Sequence, residues 1–191
     1  MPIGIVSGFG RCGTTLVMNM LKAGGIHVMG PAPAFEPPQL GIDSFDLDWV
    51  LRHEGAVMKY IDPTLERLPQ KPLGPVIWLD SDPMEQAKSQ AKMLSILSGV
   101  TINRQDLRRI KASFVRDRPK ALRIISGFGN VTRISFEDIL ENPGRAAITL
   151  AGTFKGLGDL DTFRAASVVL RREATAMPDL AIESHLIQLA Q

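Results

Sequence analysis

The chain has 191 residues, 45% of them hydrophobic and 22% charged, with a formal net charge of +2. That is the balance of one globular domain with a proper core, and it makes no case for nucleic acid or an anionic membrane as a partner. A single cysteine, Cys12, excludes an internal disulfide framework and fits a reducing cytoplasm. No apolar run reaches transmembrane length and no signal-peptide pattern precedes the first strand, so the expectation is a soluble cytoplasmic protein.

In chain order, Ile3 to Ser7 predicts a buried strand, followed by a glycine-rich turn and a helix from Thr14 to Ala23 that Gly24-Gly25 ends. Ile26 to Met29 predicts a second strand. Residues 30 to 44 are proline-rich, predicting an irregular segment of the kind that is usually functional or mobile. A helix over Phe45 to Arg52, a strand over Ala56 to Tyr60 and a turn or short helix from Pro63 to Leu68 follow. Val76 to Leu79 is a buried strand, and Asp82-Pro83 opens a helix carrying Met84 to Leu97. Residues 103 to 123 predict a helix or helix pair, Asn130 to Ser135 a strand, and Phe136 to Leu140 with Gly144 to Phe154 a terminal helix. A helical extension is expected from about Gly158. The alternation implies a single α/β domain over 1–191, a three-layer parallel sheet flanked by helices, with ligands at the carboxyl ends of its strands.

The turn carries the strongest chemical signal. Gly8, Gly10 and Gly13 let the backbone curl with its N–H groups inward, and the helix from Thr14 adds its positive dipole end. Such a turn cradles a phosphate or a sulfate. Gly8 and Gly13 keep the spacing of the nucleotide-binding P-loop, G-x-x-x-x-G-K-[ST], but Thr14 and Thr15 stand where its lysine and hydroxyl residue would be. The nearest cation is Arg11, inside the loop. Without the lysine, ordinary ATP or GTP hydrolysis is disfavoured. Cys12 is either a reactive thiol at a helix N-terminus or simply a small residue filling the turn, and the second is the simpler reading.

Residues 9 to 16, FGRCGTTL, resemble the 5′-phosphosulfate-binding loop of sulfotransferases, usually Pro-(Arg/Lys)-Ser-Gly-Thr-Thr, with Gly10 and Cys12 replacing its proline and serine. The resemblance implies a P-loop NTPase-like fold and a donor, 3′-phosphoadenosine 5′-phosphosulfate (PAPS), whose sulfuryl group moves without a metal. Residues 76 to 94 are similar to the segment holding the donor's 3′-phosphate. Asp82, Pro83 and Ser89 are in place, but Ser81 stands where the family has an arginine, with Asp80 before it. The missing cation would come from Arg171-Arg172 or from the cluster Arg104, Arg108, Arg109, Lys111, Arg116, Arg118, Lys120 and Arg123, otherwise the solvated face of a helix. Residues 54 to 69 resemble a third segment, in which Lys59 ends a strand before Pro63 and Leu65 to Pro69. Residues 133 to 156 resemble a fourth, read as architecture, with Phe136 and Ile139 in the core and Glu137-Asp138 capping a turn.

Under this resemblance Gly8, Gly10, Arg11, Cys12, Gly13, Thr14 and Thr15 form the donor loop, Ser81 and Ser89 touch the 3′ side, and Lys59 assists the leaving group. A base must also take the proton of a hydroxyl or amine acceptor. Glu36 is favoured over His53, His27 and Asp43, and His185 is set aside. Two other readings stay open: a P-loop nucleotide kinase or NTPase with Asp80 on magnesium, and a non-catalytic binder of an anionic nucleotide. The implied partners are that nucleotide and an acceptor, and a homodimer is among the states the sequence allows.

Overall fold

Three apolar five-residue runs are buried on both faces, and the sheet follows from them. The computed structural model describes residues 1–40, 45–64 and 71–169. Strand β1 (Gly4–Gly8) lies between β2 (Val57–Ile61) and β3 (Val76–Asp80), and β4 (Val131–Ser135) completes the described sheet in the order β2-β1-β3-β4, every pairing parallel. Parallel strands need helical crossovers, which cover both faces and leave no polar side. Along β4, on one edge of the described sheet, Ile134 alone is buried.

Helices α1 (Thr14–Ala23), α5 (Phe136–Glu141), α6 (Pro143–Thr153) and α7 (Thr162–Ser167) pack against Val6, Val57, Ile77 and Leu79 on one face. On the other, Ile5, Met58, Tyr60, Val76 and Trp78 meet Val50 of α2 (Leu47–Leu51) and Ala121 and Ile125 of α4 (Arg104–Ser126). Each fully buried large apolar side chain contributes roughly 1.5–3 kcal/mol of transfer free energy. Trp78 also carries a buried N–H, which donates to Asp80 Oδ1 at 2.9 Å. The expected three-layer α/β sheet is present.

One expectation needs correction, and one open alternative is decided. The segment predicted as a second strand, 26–29, joins the edge of β2 only through an isolated bridge, Val28 to Val57. Val57 donates to the carbonyl of His27 and accepts from Met29 N, and the left-handed turn at Gly30 (φ 84) follows directly. Residues 103 to 123 form one helix, α4, which runs through Pro119. That proline is exposed, so water can take the carbonyl its missing N–H leaves behind. Pro83 at the start of α3 (Pro83–Ser98) follows the Asp82 cap as expected, with the Asp82 side chain accepting from the N–H groups of Met84 and Glu85. Of the turn predicted over 63–68, only 63 and 64 are described, and Leu65 to Pro69 lies outside the described residues.

The chain leaves β1 toward β2 and then crosses to β3 on the opposite side of β1. The direction of winding therefore switches between β1 and β3, and the crevice beyond their carboxyl ends is where ligands of such sheets bind. The glycine-rich loop, residues 9 to 13, sits there.

Candidate donor and transfer site

The loop is fixed from three sides. Arg11 (φ 68) and Gly13 (φ 91) take left-handed conformations that fold it back onto the start of α1. A Cβ on Gly8 would lie 2.4 Å from Cys12 Sγ and 2.8 Å from the carbonyl of Leu79, and one on Gly13 would lie 2.3 Å from the Phe136 ring. Phe136 thus packs on the loop itself, a contact that its sequence context suggested only as core. Gln86 of α3 donates to the carbonyl of Gly10 at 2.8 Å, and Arg11 Nε donates to Ser89 Oγ at 3.1 Å. Phe9 meets Trp78 edge-on and Phe114 of α4 at a tilt, both at 5.6 Å between centroids.

Cys12 faces the core, and burial pushes its thiol up to about 12, the Thr14 N–H opposing only in part. It is a packing residue. A reactive thiolate needs the opposite shift.

Lys59 lies in the middle of β2 on the α1 face and is 6% exposed. An ammonium has three donors, and each is engaged: Thr15 Oγ1 at 3.0 Å, the carbonyl of Ala34 at 2.9 Å, and the carboxylate of Glu36 in an ion pair. Glu36 reaches this position because the irregular segment is pinned by Phe35, fully buried and left-handed at φ 57. The first turn of α1, the proline-rich segment and β2 therefore meet at one cation, which brings Thr15, Glu36 and Lys59 together. Asp62, which the sequence did not single out, closes the same junction. Its carboxylate accepts from Gly10 N at 3.1 Å. Burial pushes its carboxyl up, the Gly10 N–H partly offsets this, and the negative charge of Glu36 adds to it.

On the other side of the loop, Ser81 and Asp80 end β3. The Ser81 hydroxyl donates to Glu137 at 2.8 Å, and Glu137 also accepts from Asp82 N, so this glutamate ties β3 to α5 instead of capping its own turn. Ser135 provides that cap, accepting from Asp138 N. Asp80 accepts from Trp78 and pairs with Arg133 and Arg118. With both oxygens taken by cations, this carboxylate is poorly disposed to serve as a magnesium ligand. Arg118, a member of the basic cluster, places Nη2 3.3 Å from the carbonyl of Ser81, and its buried Nε, 3.2 Å from Asp80, has no hydrogen-bond partner. A guanidinium thus stands beside the position where the family's arginine is missing, delivered from α4.

The remaining candidates stay apart from this junction. His27 is exposed, and its carbonyl accepts from Val57 N. His53 hydrogen-bonds the carbonyl of Trp49 through Nδ1 and stacks on its ring at 4.1 Å. Arg104, Arg108, Arg109, Arg116, Lys120 and Arg123 are exposed along α4. Asp43, Arg171, Arg172 and His185 lie outside the described residues. No described helix is long and apolar enough to cross a membrane.

No family model matches the sequence, and no curated protein does. Solved structures do resemble the fold. A sulfotransferase from Alicyclobacillus acidocaldarius superposes with a TM-score of 0.56 at 15% identity, covering 100% of this chain and 92% of its own. The sulfotransferase domain from the curacin biosynthetic pathway gives 0.54 at 14% identity, covering 95% and 82%. At such identities the likeness is one of fold: this chain has the α/β fold of those sulfotransferases, with a P-loop-like turn after its first strand.

Proposed function

We propose that the protein is a sulfotransferase-like enzyme that moves a sulfuryl group from PAPS to a hydroxyl or amine acceptor. The observation that carries this reading is the convergence on Lys59 of Thr15 from the loop, Ala34 and Glu36 from the proline-rich segment, and β2 itself. In this reading the N–H groups of the loop and Arg11 hold the 5′-phosphosulfate, with Gly8, Gly13 and Cys12 fixing the shape and Thr14 and Thr15 supplying hydroxyls. Lys59 and Arg11 stabilise charge on the bridging oxygen as the nucleotide leaves, an electrostatic contribution that needs no metal. Ser89 and Arg118 flank the 3′ side. Arg118, beside the carbonyl of Ser81 and paired with Asp80, brings a cation to that side. Glu36 is near enough to Lys59 to orient it, and is one of two carboxylates at hand to accept the acceptor's proton.

A non-catalytic binder of an anionic nucleotide is the second reading, favoured by the engagement of Ser81 with Glu137 and of Gly10 N with Asp62. Calorimetric titration with 3′-phosphoadenosine 5′-phosphate (PAP), and with ADP plus magnesium, on wild type and Arg11→Ala is the first test. PAP binding that is lost in the variant, together with release of sulfate from PAPS, supports the enzyme. PAP binding without turnover supports the binder, and a preference for ADP with magnesium would return the kinase reading.

A further inference from the structure

Asp62 follows the strand that carries Lys59 and closes on the loop through both backbone and side chain. Its N–H donates to the carbonyl of Gly8 at 3.0 Å and its Oδ1 accepts from Gly10 N at 3.1 Å. Oδ2 lies 3.6 Å from where a Cβ on Gly10 would stand, so the carboxyl rests against the bare face of that glycine. The backbone at Asp62 is left-handed, φ 50. Among the described residues only Arg11, Phe35 and Asp62 share this conformation without being glycine. One is in the loop, one precedes Glu36, and the third is Asp62. Aspartate tolerates the region better than most, yet strained backbone persists only where surroundings enforce it, and it gathers at working sites.

The two carboxylates at this junction have contrasting partners. Glu36 is bound to a buried ammonium, whose charge it balances. Asp62 has the neutral N–H of Gly10, and its burial favours the protonated form. Where neighbouring carboxylates are placed in surroundings that separate their proton affinities, they take different roles. The titratable groups that act on or feel Asp62 are Glu36 from the proline-rich segment, itself paired with Lys59 of β2, and the thiol of Cys12 from the loop. Helix α3 brings uncharged Gln86 and Gln90 to Gly10.

We propose that Asp62 takes the proton of the acceptor, and that Glu36 is a positioning residue that holds Lys59; the assignment rests on the transfer reading of this site. In the step, the acceptor's O–H or N–H bond breaks and its electron pair forms the new bond to sulfur. The bond from sulfur to the bridging oxygen breaks, and that pair leaves on the 5′-phosphate, facing Lys59 and Arg11. The proton ends on Asp62. No co-reactant is needed, and water can serve as the acceptor.

The test measures sulfate release from PAPS into water against pH for wild type, Asp62→Asn and Glu36→Gln, alongside PAP titration. Asparagine accepts from Gly10 N as aspartate does and favours a left-handed backbone, so the loop is kept. Asp62→Asn should lower turnover by roughly a hundredfold or more and abolish the acid limb of the profile, with PAP affinity within about threefold of wild type. Glu36→Gln should slow turnover and leave the limb. Asp62→Glu, with its carboxyl displaced by one methylene, should restore part of the rate with a shifted limb. An acid limb that survives Asp62→Asn overturns the assignment, as does a loss of PAP binding that matches the loss of rate. Wild type that binds PAP and releases no sulfate overturns the transfer reading, and the assignment with it.

Discussion

Lys59 Nζ stands 3.0 Å from Thr15 Oγ1, joining the middle of β2 to the first turn of α1 across 44 residues of chain. With Ala34 and Glu36 as its other partners, this buried ammonium is a structural tie at the side of the loop. Lys59→Met leaves Glu36 without its cation, so unfolding in urea should show a loss of about 3 kcal/mol, smaller in the double variant Lys59→Met/Glu36→Gln. The lysine variant should also lose sulfate release by more than its loss of PAP affinity. Equal losses would make Lys59 a binding residue only.

Arg11 lies in the loop and donates to Ser89 at 3.1 Å, so its guanidinium is held between the cradle and α3. Arg11→Ala removes a charge-assisted contact to the anion, and PAP affinity should fall roughly tenfold to a hundredfold. Ser89→Ala removes only the orienting hydroxyl and should cost less than Arg11→Ala. Calorimetry orders the two. The reverse order would mean that the serine, and not the arginine, faces the nucleotide.

Gly13 has both a left-handed backbone and the Phe136 ring against its missing side chain, 2.3 Å from where a Cβ would be. Gly13→Ala should therefore destabilise the protein by about 1–3 kcal/mol and abolish PAP binding. Adding Phe136→Leu removes the clash but not the strained φ, so stability should return in part. Thermal unfolding of the single and double variants separates the two contributions.

Much of this site could be read in the sequence because its parts are local. The spacing of Gly8 and Gly13 fixes the loop, whereas Lys59, expected at the end of its strand, lies in the middle of β2, which runs on to Ile61. Glu36 was reachable only through its place in the irregular segment, since nothing local says that Phe35 would anchor it over Lys59. Asp62 was hidden for a similar reason. An aspartate before Pro63 has the pattern of an ordinary turn residue, and its hydrogen bond to Gly10 spans 52 residues. The strand expected at 26–29 shows the same limit, because alternation in an apolar run does not say whether a neighbour offers a full ladder or one bridge.

Cys12 gives a prediction about pH. Its thiol, ordinarily near 9, is pushed up to about 12 by burial. The folded state holds that proton at pH values where the unfolded chain has lost it. The stability that comes from burying the neutral thiol is thus complete below about pH 9 and is lost as pH rises toward 12. Cys12→Ala should flatten this alkaline fall in urea stability. The native thiol should also resist a disulfide reagent that modifies it readily once the chain is unfolded. Rapid modification of folded protein at neutral pH would contradict its burial.

Arg118 reaches Ser81 from α4, where the sulfotransferase pattern would place an arginine on the strand end itself. Its Nε pairs with Asp80 at 3.2 Å, and Arg133 pairs with the other oxygen of the same carboxylate, so Asp80 keeps a second cation if Arg118 turns to an incoming anion. If it reads the 3′-phosphate, Arg118→Ala should weaken PAP roughly tenfold to a hundredfold and leave AMP, which lacks that group, almost unchanged. Arg133→Ala is the comparison. Its side chain is 57% exposed and its charge is spent on Asp80, so its effect on PAP should be small. Equal weakening of PAP and AMP by Arg118→Ala would mean that the arginine supports the end of β3 through Asp80 and does not select the nucleotide.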